Sequence, residues 1–273
     1  MVRQAVNKTQ LARELGISRS SLYYKPKREK IDEELKNQIE SVMGDHPDYG
    51  HKRIAIHLKM NKKRIRRVMK KFNLKPYRRR PKKPDKKKDR NKPKTKYENL
   101  IKNLGVVKPG QIWCTDFTYI KFQNKFIYLA TIIDLFTREV VGANISRFHN
   151  RFLVIGALND ALKKYEKSEI IHSDQGSEYD SADFTICAES KNIKISMSDK
   201  GSPWQNGHQE SFFGHFKQDA GDLNRFETIG ELIEYIYQQI YYYNYKRIHS
   251  KLKMTPNEKR QQFIKNQKPF IPN

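Results

Sequence analysis

Three carboxylates carry the chemistry that is most legible in this chain. Asp116 lies in Gln111-Ile112-Trp113-Cys114-Thr115-Asp116-Phe117-Thr118-Tyr119-Ile120. Asp174 lies in Ile171-His172-Ser173-Asp174-Gln175-Gly176, and Glu210 in Asn206-Gly207-His208-Gln209-Glu210-Ser211-Phe212-Phe213, with 35 residues between the last two acids. The first context reads as mid-strand, the second as the end of a short apolar strand, and the third as a helix. A carboxylate inside a strand is costly to bury unless a cation compensates it. Three carboxylates on separate elements can share two Mg²⁺ ions, which prefer a few carboxylates plus water and phosphate oxygens. Two such ions, roughly 3.5–4 Å apart, suit phosphoryl transfer: they activate the attacking oxygen and neutralise the leaving one. The expectation is a site for two Mg²⁺, with Mn²⁺ able to substitute, in which Asp116 bridges both ions while Asp174 and Glu210 each complete one. Asp134, at a strand end, and Glu178, four residues past Asp174, are expected to be structural or to support the three acids from behind.

The elements that must position these acids follow from periodicity. Ile112 to Phe122, Phe126 to Asp134 and Val140 to Ile145 read as three strands joined by short connections, hence an antiparallel meander. A helix over 150–166, a short strand from Glu169 to Ser173, a helix over 181–191, a strand from Ile193 to Met197, and helices from Asn206 to Asp219 and Thr228 to Tyr245 complete the pattern. The expected fold class is α/β, a ribonuclease H-like mixed sheet flanked by helices. The tyrosines of the last helix, from Tyr235 to Tyr245, read most simply as core and amphipathic surface.

The remainder of the chain looks made for a polyanion. The net charge of the 273 residues is +25, but residues 1–105 hold 33 Lys and Arg against 11 Asp and Glu, whereas residues 106–273 hold 22 against 19. Such a basic arm favours nucleic acid. Within it, Thr9 to Lys25 has the helix-turn-helix plan, with Gly16 ending one helix and Ser18 capping the next; an ordinary helical hairpin is the plainer alternative. Ile31, Leu35, Ile39, Val42 and Met43 mark one face of a helix over 31–45, and a second helix carries Ile54, Ile56 and Leu58. Asn61 opens a third whose apolar residues are Ile65, Val68, Met69 and Phe72. Its other face, Lys62, Lys63, Arg66, Arg67 and Lys70, suits a recognition helix against phosphates and base edges, or is simply solvated. Residues 75–96, with 13 Lys and Arg, two acids and four prolines, cannot bury a core and read as a linker whose basic residues, Arg78, Arg79 and Arg80 among them, neutralise phosphates. His46, His51 and His57 fit no common metal-ligand spacing, and Cys114 and Cys187 have no zinc-type partners nearby. The two thiols, the lack of an apolar run near 18 residues and the lack of a signal-peptide pattern point to a soluble, cytoplasmic protein with no membrane partner.

At the three acids the chain resembles the transposases of bacterial insertion sequences in the retroviral-integrase (DDE) superfamily, and in particular the large OrfB-type product of two-reading-frame elements. The resemblance is carried by Trp113-Cys114-Thr115-Asp116-Phe117-Thr118-Tyr119-Ile120, His172-Ser173-Asp174-Gln175-Gly176-Ser177-Glu178-Tyr179 and Glu210-Ser211-Phe212-Phe213-Gly214-His215-Phe216-Lys217. It is supported by Tyr49-Gly50-His51-Lys52-Arg53-Ile54, Ser196-Met197-Ser198, Tyr243-Asn244-Tyr245-Lys246-Arg247-Ile248-His249-Ser250 and Thr255-Pro256. It implies an integrase catalytic core with Asp116, Asp174 and Glu210 as catalytic acids. It also implies a DNA-gripping basic residue seven positions after the glutamate, which is Lys217, two helical turns on. The implied reaction is strand nicking by water to free a 3′-hydroxyl, then in-line attack of that hydroxyl on another phosphodiester. The implied partners are double-stranded DNA (terminal inverted repeats and target), further copies of the chain on that DNA, and a small OrfA-type companion or fusion product.

Two positions depart from many relatives: Gln175 stands where Arg is frequent, and Asp199 stands before Lys200-Gly201 where a basic residue is frequent. Both remove positive charge near the acids. Trp204, in the segment before the glutamate helix, is placed either to stack on a flipped base or to pack in the core. The expected organisation is a helix-turn-helix-like segment (1–28), a helical DNA-binding domain (29–74), a basic linker (75–105), the catalytic core (106–220) and a helical extension (221–273).

Overall fold

The computed structural model describes residues 7–23, 27–77, 97–199 and 202–267; the side chains of Lys27, Pro203 and Trp204, and Arg78, Arg79 and Arg80 entirely, lie outside the described residues. The chain divides into two compact units, Met1–Asp45 with Tyr49–Pro76, and His46–Asp48 with Tyr77–Asn273.

The described residues of the first unit form helices joined by turns. Helix α1 (Lys8–Glu14) starts where the Asn7 side chain accepts the Thr9 N–H and ends at Gly16, whose φ of +61° suits a residue without Cβ. The next element is not an α-helix but a five-residue 3-10 turn, Arg19–Tyr23, in which the Ser18 hydroxyl accepts the Ser21 N–H. Helix α2 (Lys27–Asp45) buries Leu35, Ile39 and Val42. Ile31, assigned to that face by periodicity, is exposed, and the neighbouring Asp32 is buried instead. The reason lies on α4 (Lys62–Lys71), which follows α3 (His51–His57). Arg67 grips both oxygens of Asp32, at 2.8 and 2.6 Å, and Lys71 adds a third bond at 3.0 Å. A charge-assisted fork of this kind turns α2 so that an acid faces inward. Ile65, Val68 and Met69 fill the space beside it.

The second unit is built on a five-stranded sheet of order β3-β2-β1-β4-β5. Strands β1 (Ile112–Phe122), β2 (Lys125–Asp134) and β3 (Val140–Ser146) form the expected antiparallel meander. Gln123 and Asn124, both with positive φ, make the two-residue turn that matches strand twist. Strands β4 (Ile170–Ser173) and β5 (Lys194–Met197) add in parallel, reached through α5 (Arg151–Lys164) and α6 (Ala182–Ser190).

Each sheet face has its own core. Trp113, Ala130, Ile132 and Val141 pack with Leu153, Val154 and Leu158 of α5 and Phe184 of α6. Gly142 is required there, because a Cβ would overlap the Ala157 carbonyl and Ala161. Ile120, Phe122, Ile127 and Leu129 pack with Phe212, Phe213 and Phe216 of α7 (Gly207–Ala220) and with Leu232 and Ile236 of α8 (Ile229–Tyr245). Tyr243 of α8 is buried in that core while Tyr237, Tyr241 and Tyr245 are exposed, so that helix is amphipathic as expected. A last helix, α9 (Pro256–Gln267), is capped reciprocally by Thr255 and Glu258.

Candidate active site

The sheet register places the two aspartates together. Cys114 of β1 pairs with His172 of parallel β4; Asp116 and Asp174 each stand two residues further on. Asp116 is partly buried within β1, and its carboxylate accepts the Phe117 N–H at 2.8 Å. Asp174 is exposed just past the end of β4 and accepts the Gly176 N–H at 2.9 Å. Glu210 lies in the first turn of α7 and is exposed. Burial pushes the Asp116 carboxyl up to about 7, and the neighbouring charges of Asp174 and Glu210 add to that, against the Phe117 N–H and Lys217. All three acids therefore share one electrostatic neighbourhood, open to solvent on the side of Asp174 and Glu210. Among the described residues no three His, Cys, Asp or Glu side chains are grouped closely enough to hold a metal ion. The donor set nevertheless fits a hard divalent cation, which would offset the burial, and with it the repulsion from Asp174 and Glu210, that hold the Asp116 carboxyl up.

The glutamate helix is fixed to the aspartate strand by buried amides. Gln209 donates to the carbonyls of Cys114 (2.6 Å) and Thr131 (3.1 Å) and accepts the Thr131 hydroxyl (2.9 Å). Asn206 donates to the Thr115 carbonyl at 3.2 Å. Gln209 is not among the residues that the sequence patterns single out; its signal there is two amide residues at helical spacing on a face that otherwise carries Phe213 and Phe216.

His172 is buried between Ser196 (2.9 Å to Nδ1) and Ser198 (3.0 Å to Nε2). Burial lowers its pKa to about 4, so it is a neutral tie between β4 and β5 near Asp174. Both departures from relatives have structural partners. Gln175 donates to the Ser198 carbonyl at 3.0 Å. The Asp199 carboxylate accepts from Gln205 at 2.8 Å and faces Lys102 at 3.6 Å, and the Gln205 bond leads in lowering its pKa. Asp134 accepts the Gly110, Phe136 and Thr137 N–H groups, and Glu178 pairs with His149 at 3.0 Å.

Lys217 sits on α7 with Nζ 4.9 Å from the centre of the exposed Tyr119 ring. In the first unit, Lys62, Lys63, Arg66 and Lys70 are exposed on α4. Arg67 differs from them. Although half exposed, it is committed to Asp32, so the basic run does have an acid to balance it, one supplied by another helix. Among the described residues no helix is long and apolar enough to cross a membrane.

Known proteins agree with this architecture. A family profile described as "Integrase core domain" matches residues 106–203, a second of the same description matches residues 191–256, and a "Bacterial regulatory protein, Fis family" profile matches residues 3–28. The putative transposase InsK of insertion sequence IS150 from Escherichia coli (strain K12) is 31% identical, with 96% of each chain covered. The transposase of IS904 from Lactococcus lactis subsp. lactis (strain IL1403) is 31% identical over 85% of this chain and 95% of its own. In fold, a chain of the simian T-cell lymphotropic virus intasome in complex with PP2A regulatory subunit B56 gamma matches with a TM-score of 0.51 and 16% identity, covering 86% of this chain and 76% of that one.

Proposed function

Because the chain belongs to the insertion-sequence transposases with an integrase core, DDE-type enzymes of DNA cleavage and strand transfer, we propose that Asp116, Asp174 and Glu210 are its catalytic acids and its metal ligands, acting at the ends of an insertion sequence. The observation that carries this reading is the parallel β1–β4 register, which brings Asp116 within β1 beside the end of β4 that leads into Asp174, with Glu210 in electrostatic reach. Two Mg²⁺ ions held there, or Mn²⁺ in their place, would supply activation of the attacking oxygen and neutralisation of the leaving one.

The chain's own groups do the positioning. Asp116, rigid within β1, sets the level of the site, and Asp174 meets solvent and substrate past the end of β4. Lys217, oriented over Tyr119, holds a DNA phosphate beside the acids. Water is the first nucleophile: it breaks a phosphodiester and leaves a 3′-hydroxyl. That hydroxyl is the second nucleophile, forming a new phosphodiester in the target as a target 3′-oxygen leaves. The basic face of α4 (Lys62, Lys63, Arg66 and Lys70), Arg78, Arg79 and Arg80 of the linker, and Trp204 contact DNA; Arg67 supports that face through Asp32.

The same reading divides the chain into end-recognition segments (1–28 and 29–74), a linker (75–105), a catalytic core (106–220) and its extension (221–273). It places several copies, with or without a small OrfA-type companion, on the DNA in the bacterial cytoplasm. The test is incubation of the full chain with a labelled duplex from the flanks of the coding sequence and a target plasmid. Mg²⁺-dependent nicking and joined products are expected. Absence of both with Mg²⁺ and with Mn²⁺, while the duplex is bound, overturns the reading.

A further inference from the structure

Glu210 is on an exposed helical turn, yet its place relative to Asp116 depends on how α7 lies on the sheet. Apolar packing alone tolerates sliding and rotation. Phe212, Phe213 and Phe216 fix which face of α7 is down but leave the register along β1 loosely specified. Hydrogen bonds do not slide in this way, because their distances and angles restrict both translation and rotation.

Three backbone carbonyls around Asp116 receive such bonds, all from α7 or the residue just before it. Gln209 Nε2 reaches Cys114, two residues before Asp116, and Thr131, which is the cross-strand partner of Asp116 in the β1–β2 register. Gln209 Oε1 takes the Thr131 hydroxyl. Asn206 Nδ2 reaches Thr115, the residue immediately before Asp116. Gln209 is fully buried and Asn206 is 4% exposed, so neither is held there by solvent, and each amide would be costly to bury without these partners. Gln209 is also the residue directly before Glu210.

We propose that Gln209, with Asn206 and Thr131, is a positioning clamp that sets the distance between Glu210 and Asp116. The proposal rests on the acid assignment above and extends it to residues that do not touch DNA. A misplacement of about 1 Å at a reacting centre can cost on the order of a hundredfold in rate, so the clamp governs turnover more than binding.

The experiment compares full-length wild type, Gln209→Leu, Thr131→Val and Glu210→Gln. It reads single-turnover nicking of a flanking duplex at saturating protein, duplex Kd in EDTA, the Mg²⁺ midpoint, and near-ultraviolet circular dichroism for packing. Gln209→Leu, similar in size but unable to bond, is expected to lose about a hundredfold in nicking rate, to need more Mg²⁺, and to keep its Kd within about twofold. Thr131→Val removes one bond of the clamp and is expected to show a smaller loss of the same kind. A further variant carrying both Gln209→Leu and Thr131→Val should lose less than the product of the single losses, because the two residues act as one unit. A purely structural role would lower the active fraction without moving the Mg²⁺ midpoint. If Gln209→Leu folds and nicks at the wild-type rate with an unchanged midpoint, the clamp is wrong. If Gln209→Leu does not fold, Thr131→Val decides: a wild-type rate and midpoint there overturns the proposal. An inactive Glu210→Gln beside a fully active Gln209→Leu rejects the clamp alone, whereas an active Glu210→Gln rejects the acid assignment and the clamp with it.

Discussion

Asp116 and Asp174 each lie two residues beyond the registered pair Cys114 and His172, Asp116 within β1 and Asp174 just past the end of its parallel neighbour β4. The pairing comes from the backbone, and the side chains inherit it. Sheet hydrogen bonding sets β1 against β4 and so brings Asp116 beside the segment that carries Asp174 before any ligand is present, which is a form of preorganisation.

The first expectation follows from that placement. Asp116→Asn, Asp174→Asn and Glu210→Gln should each lower nicking and joining by at least about a thousandfold, or roughly 4 kcal/mol of barrier, while duplex binding in EDTA is kept. Gel assays of both steps, alongside a binding titration, check this. Joining by any one variant at more than about a tenth of the wild-type rate, roughly 1.4 kcal/mol of barrier, removes that residue from the set.

Crowding three acids also has a cost in stability. Burial and two neighbouring carboxylates hold the Asp116 carboxyl up to about 7, so in EDTA Asp116→Asn should melt at or above wild type. Added Mg²⁺ should raise the wild-type melting temperature, since a ligand at about a hundred times its Kd contributes about 2.7 kcal/mol, and should raise that of Asp116→Asn much less. Equal Mg²⁺ shifts in the two proteins, seen by calorimetry, would count against metal binding at these acids.

Much of this is readable in the sequence where one period dominates. The strands around Asp116 and Asp174 alternate or run apolar, and Thr228 and Asn61 cap their helices as their types suggest. Pairings between elements distant in sequence are not readable. Ile31 fits the apolar face of α2 by spacing, but the pull of Arg67 on Asp32 turns that face by one residue. The run from Lys62 to Lys71 carries no acid, so its partner has to come from another helix. Gln209 looks like one more polar helix residue, because the carbonyls it meets belong to two strands. Helix α9 does leave a local signal, the Thr255-Pro256-Asn257-Glu258 capping box.

The Asp32 cluster gives a pH dependence confined to the first unit. Hydrogen bonding to Arg67, helped by Lys71, holds the Asp32 carboxyl far below the usual carboxylate range. A folded-state pKa below the unfolded one means that stability is fully present above the unfolded value, about 3.9. It is lost as pH falls below that value towards the folded one. Circular dichroism of the wild type should show helix loss setting in as pH drops below about 4. Asp32→Asn should already be less stable at neutral pH and should show less of that acid dependence. An acid profile identical in both proteins would contradict this.

The same cluster separates two kinds of basic residue on α4. Lys62, Lys63, Arg66 and Lys70 face solvent, while Arg67 is tied to a buried acid. Alanine at any of the first four should leave the melting temperature unchanged and weaken duplex binding, lowering the log–log salt slope by about 0.9 for each phosphate no longer neutralised. Arg67→Ala should instead destabilise the first unit, because it strips the buried Asp32 of its bidentate partner. Salt titrations by fluorescence anisotropy, paired with thermal melts, distinguish the two outcomes. A stable Arg67→Ala that loses only DNA affinity would return Arg67 to the DNA-binding face.

Lys217 and Tyr119 make the last test, at the border between site and substrate. The Lys217 ammonium lies 4.9 Å from the centre of the Tyr119 ring, and Tyr119 is packed edge-on against Phe126 at 5.5 Å. Stacking on an aromatic face orients an ammonium without neutralising it, and the Lys217 charge already acts on Asp116, so a phosphate near the acids meets a positive charge aimed at the site. A hydrogen bond to a charged group contributes about 1.5–3 kcal/mol. Lys217→Ala should therefore weaken duplex binding by about tenfold or more and reduce its salt dependence, and Lys217→Arg should restore most of it. Tyr119→Phe should behave as wild type, whereas Tyr119→Ala should show part of the Lys217→Ala loss, because the ammonium is no longer held in one direction. Lys217→Ala with wild-type affinity at every salt concentration would mean that this lysine does not hold DNA.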